Sequence, residues 1–141
     1  FYPKLPLTKE VPNSKRYGII MKITEYGKLV RKARLDAEVT MLDMARSIGV
    51  APSFLSATEV GTKKVSSEFL KKVEEFFLQK GIRINGLREA ADVSNQTVPL
   101  EGLSPAQQFL VAGFARTDLS KEQVEHFSKL LRKIKDNDYS N

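Results

Sequence analysis

The sequence predicts an all-α protein with five short helices, a linker and then two more helices. Apolar residues recur every three or four positions over successive segments, which is the pattern of helices with one buried face. Ser, Thr or Pro stands at the start of most of these segments and Gly follows several of them, as expected of helix caps. The 141 residues, 41% of them hydrophobic and 28% charged, suit one main core with a small appendage.

The N-terminal residues differ in composition from the rest of the chain. Residues 1–20 contain three prolines, several basic side chains and no apolar periodicity. They are predicted to be a basic extended arm, or a remnant that precedes a natural start at Met21. The first helix follows, from Thr24 to about Asp36, with its apolar residues at helical spacing.

Two short helices separated by a tight glycine turn come next. Thr40, with Asp43 three residues later, is typical of a capping box and starts the first of them, which Gly49 ends. Pro52 suits the first position of the other helix, where a missing N–H is tolerated, and Gly61 ends it.

The next two helices complete the N-terminal domain, which is predicted to span residues 21–93. Ser66 or Ser67 caps a fourth helix with a broad apolar face, and Gly81 ends it. A fifth helix is predicted over residues 85–93. Residues 94–103 are rich in turn formers and are predicted to be a linker that can hold a short strand.

Two amphipathic helices are predicted over residues 104–134. Ser104, followed by a proline, has the pattern of a helix start, and Ser120 with Gln123 forms a second capping-box pair. Residues 135–141 are predicted to be a frayed tail.

The composition excludes several function classes. The chain has no cysteine and a single histidine, His126, so disulfides, thiolate nucleophiles and Cys-based zinc sites are excluded. We expect no metal, no cofactor and no enzymatic activity. No stretch approaches the roughly 20 apolar residues that span a bilayer, so we expect a cytoplasmic protein without membrane contact.

The positive charge is concentrated in the first part of the chain. The formal net charge is +6, and the whole excess lies before Val65, because residues 65–141 carry eleven basic and eleven acidic side chains. If the chain has a surface that binds a polyanion, that surface is therefore expected in the N-terminal part.

Residues 41–60 have the spacing that a helix-turn-helix requires. Ala45 is small enough to lie close to a partner helix, and Gly49 can adopt the left-handed conformation of the turn. The apolar residues that would hold the two helices together are Ile48, Val50 and Leu55. Because any compact helical domain can carry such residues, this spacing alone does not establish a helix-turn-helix.

Longer segments carry a resemblance to a known family. Through YGKLVRKAR, TMLDMARSIGVAPSFLSATEVG and the KK that follows, residues 24–93 resemble the phage-repressor-like (Xre, or Cro/C1-type) helix-turn-helix family. In that family a helix-one arginine pairs with a glutamate at the end of the recognition helix, and Arg34 and Glu59 fill these positions.

The resemblance implies a set of DNA contacts. The positions that face base edges in the family are filled by Pro52, Ser53 and Ala57, with Phe54 and Ser56 beside them. The positions that meet the DNA backbone are filled by Thr40, Met41, Thr62, Lys63 and Lys64.

The sequence departs from what relatives carry in two respects. Ser53 and Ser56 are the only polar candidates for base contact, so readout through thymine methyls, water or DNA shape is favoured over bidentate pairing. Thr58 stands where an aliphatic residue is usual, which weakens the expected core slightly.

The C-terminal helices are predicted to join two copies of the chain. A single recognition helix buries limited surface, so such proteins bind two half-sites as dimers. The predicted seam consists of Phe109, Leu110, Phe114, Val124, Phe127, Leu131 and Ile134. The alternative is that these helices pack back on their own DNA-binding domain.

The resemblance thus implies a sequence-specific regulator of transcription that binds double-stranded DNA. The favoured form is a homodimeric repressor that occupies an operator, near its own promoter, with helix 52–60 in the major groove. The alternative is an antitoxin that binds its operator and neutralises a toxin through the arm or the C-terminal helices. An enzyme acting on nucleic acid, or an RNA-binding protein, has less support.

Overall fold

The structure is a computed structural model that describes residues 22–139, and every regular element within them is an α-helix. The all-α prediction is therefore confirmed for this part of the chain, and the predicted arm at residues 1–20 lies outside the described residues. The helices are α1 (Glu25–Ala37), α2 (Met41–Ile48), α3 (Pro52–Val60), α4 (Ser67–Leu78), α5 (Leu87–Asn95), α6 (Pro105–Ala115) and α7 (Lys121–Tyr139).

The chain forms two compact units that meet in sequence between Val98 and Pro99, inside the predicted linker. In the first unit, α1 packs against α3 and α5, while α2 packs against α3 and α4. Burial of their apolar faces is the main force that stabilises this unit. The largest fully buried apolar side chains are Tyr26, Val30, Met44, Leu55, Val73, Phe77 and Leu87.

Helix starts follow the predicted caps. The hydroxyl oxygen of Ser66 accepts the Phe69 N–H at 3.1 Å, so Ser66 rather than Ser67 is the cap of α4. At the start of α7, the Ser120 hydroxyl accepts the Gln123 N–H at 3.1 Å, and the Gln123 side chain accepts the Ser120 N–H at 2.9 Å. The predicted second capping box is therefore confirmed.

The prediction that residues 94–103 can hold a short strand is wrong: no strand occurs among residues 22–139. The segment first completes α5, which ends at Asn95, and then forms turns such as the one closed by the Leu103 N–H and the Leu100 carbonyl at 3.2 Å. A lone short strand finds no partner for its backbone groups here.

Two helix limits also differ from the prediction. Helix α5 begins at Leu87 because Gly86 before it has φ +77°, a left-handed conformation that is not helical. Helix α7 continues to Tyr139, so the predicted frayed tail is wrong for residues 135–139. No proline or glycine interrupts this segment, and each further residue adds a backbone hydrogen bond.

Gly27 lies where α1 approaches the end of α3. A Cβ at this position would overlap the Glu59 carbonyl oxygen and lie 2.9 Å from its carbonyl carbon. The same oxygen accepts bonds from the Thr24 N–H at 3.1 Å and the Thr24 hydroxyl at 2.8 Å, so it cannot move away without losing them.

Gly27→Ala is therefore expected to lower the free energy of unfolding by about 1–3 kcal/mol, as overpacking does, although alanine is the better helix former. Urea denaturation measures this change. Lys32→Ala, on the solvent side of α1, is the control and should cost less than about 0.5 kcal/mol. A Gly27→Ala protein as stable as the parent would contradict the close approach.

Candidate nucleic-acid interface

The turn between α2 and α3 is short and tightly bonded. The Ala45 carbonyl accepts the N–H of Gly49 at 2.8 Å and of Val50 at 3.0 Å, and Gly49 has φ +87°. Ala51 then precedes α3 in an extended conformation, and Pro52 takes the first helical position. These hydrogen bonds bring the end of α2 and the start of α3 together. Ala45, near the end of α2, is almost fully buried.

Helix α3 has one buried side and one outer side. Leu55, Thr58 and Glu59 are buried, whereas Pro52 and Ser53 are exposed. Of the residues predicted to face base edges, two are therefore exposed and three are partly buried. The residues that are only partly accessible are Phe54, Ser56 and Ala57.

Phe54 belongs to the packing rather than to the outer surface. Its ring lies edge-on to Phe69 of α4, with 5.1 Å between the ring centroids. Such an arrangement is favourable for aromatic rings. Two of the residues predicted to face base edges are polar. Ser53 is exposed, and Ser56 is partly buried.

Thr58, which replaces an expected aliphatic residue, is satisfied inside the core. Its hydroxyl donates to the Leu55 carbonyl at 2.7 Å, and its side chain also hydrogen-bonds with Tyr26. Burial raises the pKa of the Tyr26 hydroxyl, as does the negative charge of Glu59 beside it, so Tyr26 stays neutral. A buried polar group with partners carries little penalty, so the expected weakening of the core is offset.

Glu59 ties α3 to α1 through its side chain. Its carboxylate accepts from both terminal nitrogens of Arg34, with Arg34 Nη2 3.2 Å from Glu59 Oε1. Only 1% of Glu59 and 8% of Arg34 is exposed, so this is a buried, bidentate ion pair. Arg31 adds a third bond, from Nε to Glu59 Oε1 at 3.2 Å, and its side chain is half exposed.

The start of α2, predicted to meet a phosphate, is closed by its own capping box. The Thr40 hydroxyl accepts the Asp43 N–H at 3.0 Å, and the Asp43 carboxylate accepts the Thr40 N–H at 3.3 Å. The hydrogen bonds from the Thr40 side chain and backbone lower the pKa of the exposed Asp43 carboxyl. Because this carboxylate is ionised, a phosphate at the Met41 N–H would meet a like charge close by.

The loop of residues 61–64 offers a more favourable setting for an anion. Gly61 ends α3 with φ +88°, and the N–H groups of Thr62 and Lys63 donate to the Ala57 carbonyl at 3.0 and 3.2 Å. Lys63 and Lys64 are exposed. The loop therefore presents two cationic side chains from a backbone that is bonded to the end of α3.

The second unit leaves its apolar faces uncovered. No residue of α6, and none of residues 121–138 of α7, is buried, and Phe109 is 81% and Leu110 73% exposed. The rings of Phe114 and Phe127 meet edge-on with 5.4 Å between centroids. The other predicted seam residues are about half exposed: Val124, Leu131 and Ile134.

Three residues that contribute to these surfaces were not predicted from the sequence. Leu130, half exposed beside Leu131, widens the apolar face of α7, and its three-residue spacing from Phe127 was the available signal. Arg31 and Asn95 make side-chain contacts distant in sequence, which no local pattern indicates.

No group of three or more His, Cys, Asp or Glu side chains lies close enough to hold a metal ion within residues 22–139. In the same range, no helix is both long and apolar enough to cross a membrane.

Comparison with known proteins found no matching family model, no matching curated protein and no matching solved structure. The helix-turn-helix resemblance therefore rests on the residues that carry it.

Proposed function

We propose that the protein is a sequence-specific regulator of transcription that binds double-stranded DNA, acting as a dimeric repressor on an operator. One observation carries the proposal. On the inner side of α3, Leu55, Thr58 and Glu59 are buried, and Glu59 is paired with Arg34 of α1. On its outer side, Ser53 is exposed. A major groove about 12 Å wide accepts one such helix, with its first residues at the base edges.

Electrostatics supports this orientation. Lys63 and Lys64 follow directly after α3, and the net positive charge of the chain lies before Val65. Lysines beside a groove-binding helix neutralise phosphates and fix its register without reading sequence. With Ser53 as the exposed polar residue of the helix start, we expect DNA shape and thymine methyls to contribute much of the specificity.

The exposed apolar faces of α6 and α7 support a second copy of this chain as partner. These two helices gain little from folding as an isolated pair, because the apolar side chains of residues 105–115 and 121–138 stay largely in water. Residues 99–141 carry six basic and six acidic side chains, so no net repulsion opposes self-association. Acidic Glu122 and Glu125 near the start of α7 and basic Lys129, Arg132 and Lys133 farther along it suit an antiparallel partner helix.

The same uncovered faces favour a second candidate, an antitoxin that binds its operator and neutralises a toxin. A toxin seated on α6 and α7 would cover Phe109 and Leu110, the most exposed of the seam residues. Co-expression with neighbouring genes, followed by purification, distinguishes the two. A stoichiometric complex with a second protein would favour the antitoxin, and a homodimer alone would favour the repressor.

Ser53→Glu tests the proposed contact of α3 with DNA. The parent is first used to select a preferred duplex from a random pool, and it should bind that duplex about 10³-fold or more tightly than a shuffled one. The variant should lose this preference to within about tenfold, because a carboxylate would face base edges and phosphates. Binding to both duplexes is measured by fluorescence anisotropy.

Stability and a matched control separate this result from unfolding. Ser53 is exposed in the first turn of α3, where an acidic side chain favours the helix, so Ser53→Glu should unfold at the same urea concentration as the parent. Ser67→Glu makes the same change in the first turn of α4 and should keep the parent's preference. If Ser53→Glu discriminates between duplexes as the parent does, the proposal is wrong.

A further inference from the structure

The last turn of α5 holds the far end of the loop that carries the two lysines. The Asn95 side-chain oxygen accepts the Val65 N–H at 2.8 Å, and the Asn95 side-chain nitrogen donates to the Val65 carbonyl at 2.8 Å. One amide thus pairs with both backbone groups of one loop residue. Val65 is buried, so breaking the pair would leave two polar groups away from water.

The near end of the same loop is held by α3. The N–H groups of Thr62 and Lys63 donate to the Ala57 carbonyl. Gly61 lies beside Thr24, which precedes α1, and Ser94 of α5. A Cβ on Gly61 would come 3.7 Å from the Ser94 hydroxyl, which is buried and finds no hydrogen-bond partner among the described residues. Lys63 and Lys64 therefore lie between two fixed points, one on α3 and one on α5.

We propose that Asn95 is a positioning residue for the DNA backbone contact made by Lys63 and Lys64. This inference rests on the proposed function. A loop that is already ordered loses less conformational entropy when its lysines engage phosphates than a loop that must first be ordered. Asn95 touches no DNA in this arrangement: it acts through Val65, and its effect falls on phosphate contacts rather than on base contacts.

Asn95→Ala tests the role through the salt dependence of binding to the duplex selected by the parent. We expect a loss of affinity of about tenfold at 0.15 M salt and a slope of log K against log salt that is smaller by about 1–2, since each phosphate contact contributes about 0.9. The ratio of affinities for the selected and shuffled duplexes should stay at the parent's value, because base contacts are unchanged.

Two controls separate positioning from a general loss of stability. Asn85→Ala replaces an exposed asparagine before α5 and should leave affinity and slope unchanged. Val73→Ala destabilises the core away from the loop, and at a temperature where it is fully folded it should also keep the parent's slope. Hydrogen exchange of the Val65 amide should accelerate in Asn95→Ala and remain slow in Asn85→Ala.

A double-mutant cycle completes the test. Lys63→Gln with Lys64→Gln should reduce the salt slope, and adding Asn95→Ala to that pair should reduce it no further. An Asn95→Ala slope equal to the parent's, or additive losses in the cycle, would overturn the positioning role and leave DNA binding by α3 intact. A parent that shows no duplex preference would instead overturn the proposed function itself.

Discussion

Replacing Glu59 by alanine is expected to lower the free energy of unfolding by about 3–5 kcal/mol, because it leaves a buried charge without its partner. Arg34 is 8% exposed and has its guanidinium bonded to the Glu59 carboxylate. The variant would also remove the side-chain link between the end of α3 and α1, so DNA binding should fall together with stability. Urea denaturation monitored by circular dichroism measures this change in the free energy of unfolding.

Glu74→Ala is the matched control for this result. Glu74 also forms a bidentate pair, with Arg88 at 2.9 and 3.1 Å, but the Arg88 side chain is two-thirds exposed. Its removal should cost no more than about 1 kcal/mol, as exposed pairs do. Equal losses for Glu59→Ala and Glu74→Ala would contradict the view that burial makes the Arg34 pair important.

Replacing Leu131 by glutamate is expected to convert a dimer into a monomer. Leu131 lies in the uncovered apolar face of α7, and a carboxylate there would be buried without a partner when two copies pair through this face. Affinity for a duplex with two half-sites should then fall by about 10²–10⁴-fold, since the second half-site is no longer bound by a linked copy. Affinity for a single half-site should not change.

The measurement is sedimentation of the protein alone, followed by titration of duplexes with one or two half-sites. Lys129→Gln, on the opposite side of α7, changes the charge by the same amount and should remain dimeric. A monomeric Leu131→Glu that binds two half-sites as tightly as the parent would exclude dimerisation as the source of affinity. A dimeric Leu131→Glu would place the contact between copies elsewhere.

Local patterns were sufficient to predict the helices of the first unit. Caps such as Thr40 and Ser66, and glycines such as Gly49 and Gly61, act within a few residues of their own position, so the sequence shows where they operate. The pairing of Arg34 with Glu59, which is observed, was implied by family resemblance rather than by any pattern of spacing.

Features that depend on distant contacts could not be predicted in the same way. Gly27 is required by the Glu59 carbonyl, which lies 32 positions away in sequence, and its place in an ordinary helical pattern gives no sign of this. Thr58 and Asn95 are polar residues whose hydrogen bonds depend on how the helices pack. Helix α5 ends at Asn95, two residues beyond the predicted end at Val93, because its left-handed C-cap, Gln96, is a residue that rarely marks a helix end.

On α3, the residues that anchor the helix are different from the residue that faces solvent near its start. Leu55, Thr58 and Glu59 are buried and hold the helix in place, while Ser53 is exposed. Folding and surface chemistry can therefore vary independently at this helix. A library randomised at Ser53 should consist almost wholly of folded proteins, so selection from it could retarget the protein to new duplexes without any compensating change elsewhere.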